Sequence, residues 1–199
     1  MDKLLEKVKA GGRLVVVLRG VSGAGKSTLA LKLLKAAPGG TALVSADSHF
    51  VGADGVYRFD PSKLGEAHGG CLKDFVRTLQ LDSAYGQKDS LVVVDNTNTT
   101  VAEAAPYMAV GAAYGWETVL ATIDIDPRKA AVRNVHGVSG YTVDEQFIRI
   151  KYDDARLPPF WERMRVLPEG VPGVEYVHEV PVVLGETLDP AELANRGSR

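Results

Sequence analysis

The chain alternates between short, unbroken apolar runs and longer stretches whose apolar residues recur every three or four positions. Leu14-Val15-Val16-Val17-Leu18, inside Arg13–Arg19, is apolar throughout, the pattern of a strand buried on both faces. Residues 91–95 repeat that pattern, and 41–45 and 117–123 read as two further strands. Helical spacing fills the intervals. Residues 26–37 place Leu29, Ala30, Leu33 and Leu34 on one side, and 61–85 do the same with Leu64, Cys71, Phe75 and Leu79. Segments 99–114, 127–135 and 142–154 read as three more helices, and 175–184 as a fifth strand. Apolar strands alternating with helices predict an α/β architecture, a parallel central sheet flanked by helices on both faces.

Composition narrows this only slightly. At 199 residues, 45% hydrophobic and 24% charged, the chain has globular proportions and the length of one domain. We expect a single domain over 1–199, with a helical lid at about 126–156. No apolar run approaches the ~20 residues that span a bilayer, so no membrane partner is expected. The first ten residues carry Asp2, Lys3, Glu6, Lys7 and Lys9 in place of an apolar export signal. Cys71 is the lone cysteine, which excludes an intramolecular disulfide. These features together predict a cytoplasmic protein. The formal net charge is −2, but it is unevenly spread. Residues 1–35 hold eight Lys/Arg against two Asp/Glu, and 128–165 hold eight against five; the segment between them is acidic. A fold that joined the two basic blocks would build a local positive site on a neutral protein.

The strongest chemical signal is Gly20-Val21-Ser22-Gly23-Ala24-Gly25-Lys26-Ser27, which satisfies every fixed position of G-x-x-x-x-G-K-[ST]. A buried strand precedes it and an amphipathic helix follows, as a phosphate-binding loop requires. Glycines allow successive backbone N–H groups to turn inward around phosphate oxygens at a helix N-terminus. We therefore expect Gly20, Ser22, Gly23, Ala24, Gly25, Lys26, Ser27 and Thr28 to hold a nucleoside triphosphate. Lys26 would reach its β- and γ-phosphates, and the Ser27 hydroxyl would ligate Mg²⁺. No Asn/Thr-Lys-x-Asp guanine element occurs, and the third strand ends in one acid, Asp95, where motor and remodelling ATPases usually carry a pair.

Ligands of parallel sheets bind beyond the C-terminal strand ends. The second strand ends in Ser45-Ala46-Asp47, facing the loop from the acceptor side, so Asp47 is the candidate general base; a turn or helix-capping aspartate is the alternative. The third ends in Asp95-Asn96-Thr97-Asn98. Asp95 is placed to hold a metal-bound water or orient Ser27, and the other three are candidate caps for the next helix. In the lid, Arg128 and Arg133 are candidate charge stabilisers, and a solvated helix face is the alternative for each. Lying five apart, they diverge by roughly 140° around a helix and would not meet the same oxygen.

Taken together, Gly20–Thr28, Ser45-Ala46-Asp47, Asp95-Asn96-Thr97-Asn98 and Arg133-Asn134 with His136-Gly137 resemble the polynucleotide 5′-hydroxyl kinase family. The stretch from Tyr57 to His68 is similar to related ATP-binding modules, and the resemblance runs from residue 13 to about 161. It implies a P-loop NTPase fold of the kinase type with a helical lid. It also implies ATP and Mg²⁺ as cofactors, Lys26, Asp47 and Arg133 as catalytic residues, Arg128 at the nucleotide, and Ser27 and Asp95 at the metal. The acceptor it implies is the 5′-hydroxyl end of DNA or RNA. Two positions depart from the phage pattern: Phe50 stands where an acceptor-side arginine is expected, with Arg58 or Arg77 as substitutes, and His136 replaces a second basic lid residue. Two other readings stay open, a small-molecule kinase acting on a nucleoside, sugar or antibiotic, and an ATPase module that works through partners.

Overall fold

The computed structural model describes residues 2–134, 141–154 and 173–178. The chain runs α1 (Asp2–Ala10), β1 (Arg13–Arg19), α2 (Lys26–Ala36), β2 (Gly40–Val44), a 3₁₀ turn (Ala46–Phe50), a second 3₁₀ turn (Pro61–Lys63) and α3 (Leu64–Tyr85). It continues through β3 (Ser90–Asp95), α4 (Val101–Ala113), β4 (Glu117–Asp124), α5 (Pro127–Arg133), α6 (Val143–Asp154) and β5 (Gly173–His178). The strands pair in the order β2-β3-β1-β4-β5, and each neighbouring pair is parallel. The expected doubly covered parallel sheet is therefore present. The fifth strand begins earlier than its apolar pattern indicated, and 179–184 lie outside the described residues.

Strand alternation builds the two halves of the core, because successive side chains point to opposite faces. Leu14, Val16 and Leu18 pack with α2 and α6 on one face, whereas Val15 and Val17 pack with α3 and α4 on the other. A helix absent from the pattern reading covers the first face: α1 buries Leu4 and Val8, one turn apart, and exposes Lys3, Glu6 and Lys9.

The first basic block does not form one patch. Arg13 opens β1, pairs with Asp82 and Ser83 and lies over the Trp116 ring. Lys7 pairs with Glu117, the first residue of β4. Both therefore sit at the N-terminal edge of the sheet, roughly 20 Å of strand away from the glycine-rich loop. At the other end of β1, Arg19 is fully buried, donating to Asp154 at 2.5 Å and to the carbonyls of Thr99 and Ile150. A strand separates its two ends, so charge counted along it does not sum at one place.

Candidate active site

The glycine-rich loop joins β1 to α2 at the C-terminal edge of the sheet, and its backbone is held from all sides. Gly20 N–H donates to the Thr97 carbonyl, and Ala24 N–H to that of Val21. Gly23 and Gly25 take φ of 80° and 90°, the left-handed region that disfavours other residues. A Cβ at Gly23 would also overlap the Ala130 carbonyl of α5. No side chain caps α2 at Gly25, which leaves the first N–H groups of that helix to the loop's concavity. Lys26, half-buried, folds its Nζ back onto the Val21 carbonyl at 2.9 Å. Ala24 lies in the core, and Thr28 stands in the first turn of α2.

Two other strand ends complete the site. Asp95, at the end of β3, is buried beside the Ser27 hydroxyl. Burial pushes the Asp95 carboxyl above its usual range and Asp47 adds to this, while Lys26 and Ser27 oppose it. Burial likewise lowers the Lys26 ammonium against the opposing pull of Asp95 and Asp47. Asp47 sits in the first 3₁₀ turn beyond β2 and is exposed. Desolvation raises its carboxyl, and Lys26, the Tyr57 hydroxyl and His68 pull it down. Lys26, Ser27, Asp47 and Asp95 are thus brought together at the C-terminal edge of the sheet.

The residues after Asp95 do not cap the next helix. Thr100 does, in a reciprocal capping box with Glu103. Asn96 instead accepts the Ala46 N–H at 2.8 Å, fixing the turn that carries Asp47, and directs its amide toward Cys71 and Tyr107. Asn98 takes a left-handed φ of 43° and donates to the Leu18 carbonyl at 2.7 Å, just below the loop. Asparagine amides present both a donor and an acceptor, so they tie neighbouring strand ends where a cap needs only an acceptor.

The acceptor flank is aromatic. Phe50 is buried edge-on against Tyr57 and Phe59, with centroids 6.1 and 5.0 Å away. Tyr57 donates its hydroxyl to Asp47 Oδ1 at 3.4 Å. Arg58 does not replace the missing arginine; it makes a two-pronged pair with Asp54 at 2.9 and 2.7 Å. Arg77 is exposed on α3.

The end of α5 abuts the loop, since Ala130 O and Asn134 N are the nearest backbone atoms to a Cβ at Gly23. Arg133 is the last residue of that helix, half-buried, and Arg128 is exposed at its start. Arg149 faces elsewhere, bonded to Thr99 and Glu103 and stacked on Tyr141. His136, Gly137 and Arg156 lie outside the described residues. Sequence reasoning missed Gln146, whose side chain accepts the Ser22 N–H at 2.6 Å and donates to the Ser22 hydroxyl at 3.2 Å. Ser22 therefore corrects the expectation that it faces phosphate: both of its groups point to α6.

A model of the AAA domain family matches residues 15–139, from β1 past α5. The chain belongs to that family. Human NEDD4-binding protein 2 is 33% identical to this AAA domain over 138 residues, 67% of the chain and 7% of that protein. The chain thus spans a small part of that relative. A structure from the PezAT chromosomal toxin–antitoxin system of Streptococcus pneumoniae covers 99% of the chain and 88% of its own at 15% identity and a TM-score of 0.57. The Pnkp1/Rnl/Hen1 complex covers 66% of the chain and 42% of its own at 17% identity and a TM-score of 0.49. The PezAT likeness speaks for the fold alone. Family and topology together make this AAA domain an α/β P-loop NTPase fold. Among the described residues no helix is long and apolar enough to cross a membrane.

The donor set fits a magnesium nucleotide. The uncapped N-terminus of α2 and Lys26 suit phosphate, and a hydroxyl beside a buried carboxylate, Ser27 and Asp95, suits a hard cation through oxygen. Tyr57→Phe tests how Asp47 is tuned. A hydroxyl donated to a carboxylate favours its charged form, so removing it raises the Asp47 pKa. A base works deprotonated and loses activity as pH falls through its pKa. The acid limb of the kcat/KM profile is therefore expected to move to higher pH in Tyr57→Phe; an unmoved limb would separate Tyr57 from the base.

Proposed function

We propose that this domain is an ATP-dependent phosphotransferase acting on a hydroxyl, with the 5′-hydroxyl end of DNA or RNA as its preferred acceptor. The observation that carries the reading is Asp47. An exposed carboxylate interacts electrostatically with the loop lysine and with Asp95, and it is held by a turn that Asn96 pins. In transfer, the acceptor oxygen forms a bond to the γ-phosphorus as the bond from that phosphorus to the ADP oxygen breaks. Asp47 takes the acceptor proton, and the loop N–H groups, Lys26 and Arg133 hold the phosphate oxygens. Magnesium, when bound at Ser27 and near Asp95, neutralises charge on the β- and γ-phosphates.

Support for a polynucleotide end comes from the joint occurrence of the Ser-Ala-Asp, Asp-Asn-Thr-Asn and Arg-Asn elements around one cleft. The openness of Asp47 also supports it, because a chain end can reach an open carboxylate. The half-buried rings of Tyr57 and Phe59 beside it offer surfaces for a base to stack on. A small-molecule acceptor is the second reading, favoured by the pairing of Arg58 with Asp54, which leaves that flank aromatic where an acceptor phosphate would call for a cation.

A panel of 5′-hydroxyl DNA, 5′-hydroxyl RNA, nucleosides and sugars with γ-labelled ATP decides between them. Label on the oligonucleotides is expected. Label on nucleosides or sugars alone would establish the second reading, and no transfer to any acceptor would sink both.

A further inference from the structure

Gln146 is a polar side chain in a core position. It is 1% exposed, on the face of α6 that also buries Val143 and Ile150. Its amide meets two backbone groups of fixed sense. The Ser22 N–H can only donate, so Oε1 faces it at 2.6 Å; the Tyr141 carbonyl can only accept, so Nε2 faces it at 3.0 Å. Nε2 also reaches the Ser22 hydroxyl at 3.2 Å. The amide orientation is thus dictated by the backbone on both sides.

The site of this contact matters more than its strength. Ser22 immediately precedes Gly23, the residue with φ of 80° against which the end of α5 is packed. The peptide entering Ser22 is therefore held by α6, while the next residue, Gly23, is packed against the end of α5. Rotation of that peptide would turn the following N–H groups out of the concavity they line. Charge-stabilising N–H groups act well only when their orientation is set in advance.

We infer that Gln146 is a positioning residue for the phosphate-binding loop, setting the loop's affinity for nucleotide phosphates from the helix behind it. This rests on the loop holding a nucleotide and is independent of the acceptor. Gln146→Met keeps the length and apolar packing of the side chain but leaves the Ser22 N–H buried and unpaired. Arg149→Met is the control. It breaks a different anchor of α6, to Thr99 and Glu103, without touching the loop.

Two measurements test the inference on the intact protein: MgATP affinity by calorimetry, and hydrogen exchange of the Ser22 amide by NMR without nucleotide. Gln146→Met is expected to weaken MgATP binding by about tenfold or more, the effect of one misplaced charge-assisted contact, and to speed exchange at Ser22. Arg149→Met is expected to change neither, even where it lowers Tm as much. Gln146→Asn keeps a buried amide but withdraws it by one methylene, and is expected to give both changes in a gentler variant. Equal loss of affinity in the Gln146 and Arg149 variants would overturn the inference, because α6 would then act through stability alone. Unchanged affinity in Gln146→Met would overturn it as well. A wild-type protein that binds no MgATP would remove the nucleotide reading and the inference together.

Discussion

Asp47→Asn is expected to lower kcat for phosphoryl transfer by about 10²–10⁴-fold, the usual worth of a positioned general base, with MgATP binding retained. The substitution is close to isosteric and isolates the proton-accepting role. The turn around Asp47 depends on its backbone: Ser45 Oγ accepts the Asp47 N–H at 3.2 Å, Ser48 Oγ donates to the Ser45 carbonyl at 2.6 Å, and Asn96 holds Ala46. The Asp47 side chain is bonded to Tyr57, whose hydroxyl can donate equally to an asparagine oxygen. Fold and donor site should therefore survive, and thermal unfolding should stay near that of the wild type. A purely structural aspartate would give the opposite result, a lowered Tm with transfer rates scaling only with folded protein. If Asp47→Asn phosphorylates acceptors as fast as the wild type, the base lies elsewhere.

The features that were legible in the sequence are those with a short-range pattern. Continuous apolar runs located β1 and β3 to within a residue, because a strand buried on both faces has no polar position to blur it. The loop and the strand ends followed from motif and topology, which is why Lys26, Ser27, Asp47 and Asp95 were found together. Features that depend on partners distant in sequence were less visible. Helix α1 has only Leu4 and Val8 fully on its apolar side, and charged residues surrounding so short a stripe hide it. Asn96 and Asn98 carry a helix-cap signature that Thr100 and Glu103 outcompete, because the reciprocal pair satisfies two backbone donors where one asparagine satisfies one. Gln146 did leave a trace. It falls three residues after Val143 and four before Ile150, a polar residue on an apolar stripe, which marks a buried hydrogen-bonding site before its partner is known.

Charge was the least transferable feature. The count over residues 1–35 promised a positive approach to the site, yet Arg13, Arg19 and Lys7 are each engaged by a carboxylate, and two of the three lie at the far end of the sheet. What remains beside the loop is Lys26, which Asp95 and Asp47 oppose. The site as described thus sets one cation against two carboxyl groups before a nucleotide arrives. On the proposed reaction, charge beyond that of Lys26 and the loop N–H groups would come from a bound metal ion and from an arginine of α5.

That deficit makes Arg133 the most consequential lid residue. Ala130 and Asn134 bracket it, and both lie against Gly23. Arg128 is five residues earlier, about 7.5 Å farther along the helix axis and rotated away. Arg133→Ala is expected to lower kcat by roughly 10³-fold or more, the scale of an arginine that meets transition-state charge, with a much smaller change in MgATP affinity. Arg128→Ala is expected to act mainly on nucleotide affinity, since an exposed cation at the start of α5 contributes to the ground state. Arg133→Lys should recover only part of the loss, because an ammonium carries the charge without the planar fork that engages two phosphate oxygens at once. The split between kcat and KM is the informative measurement. If Arg133→Ala raises KM and spares kcat, its role is nucleotide binding, and an unchanged kcat transfers the transition-state role to Arg128 or removes it from α5 altogether.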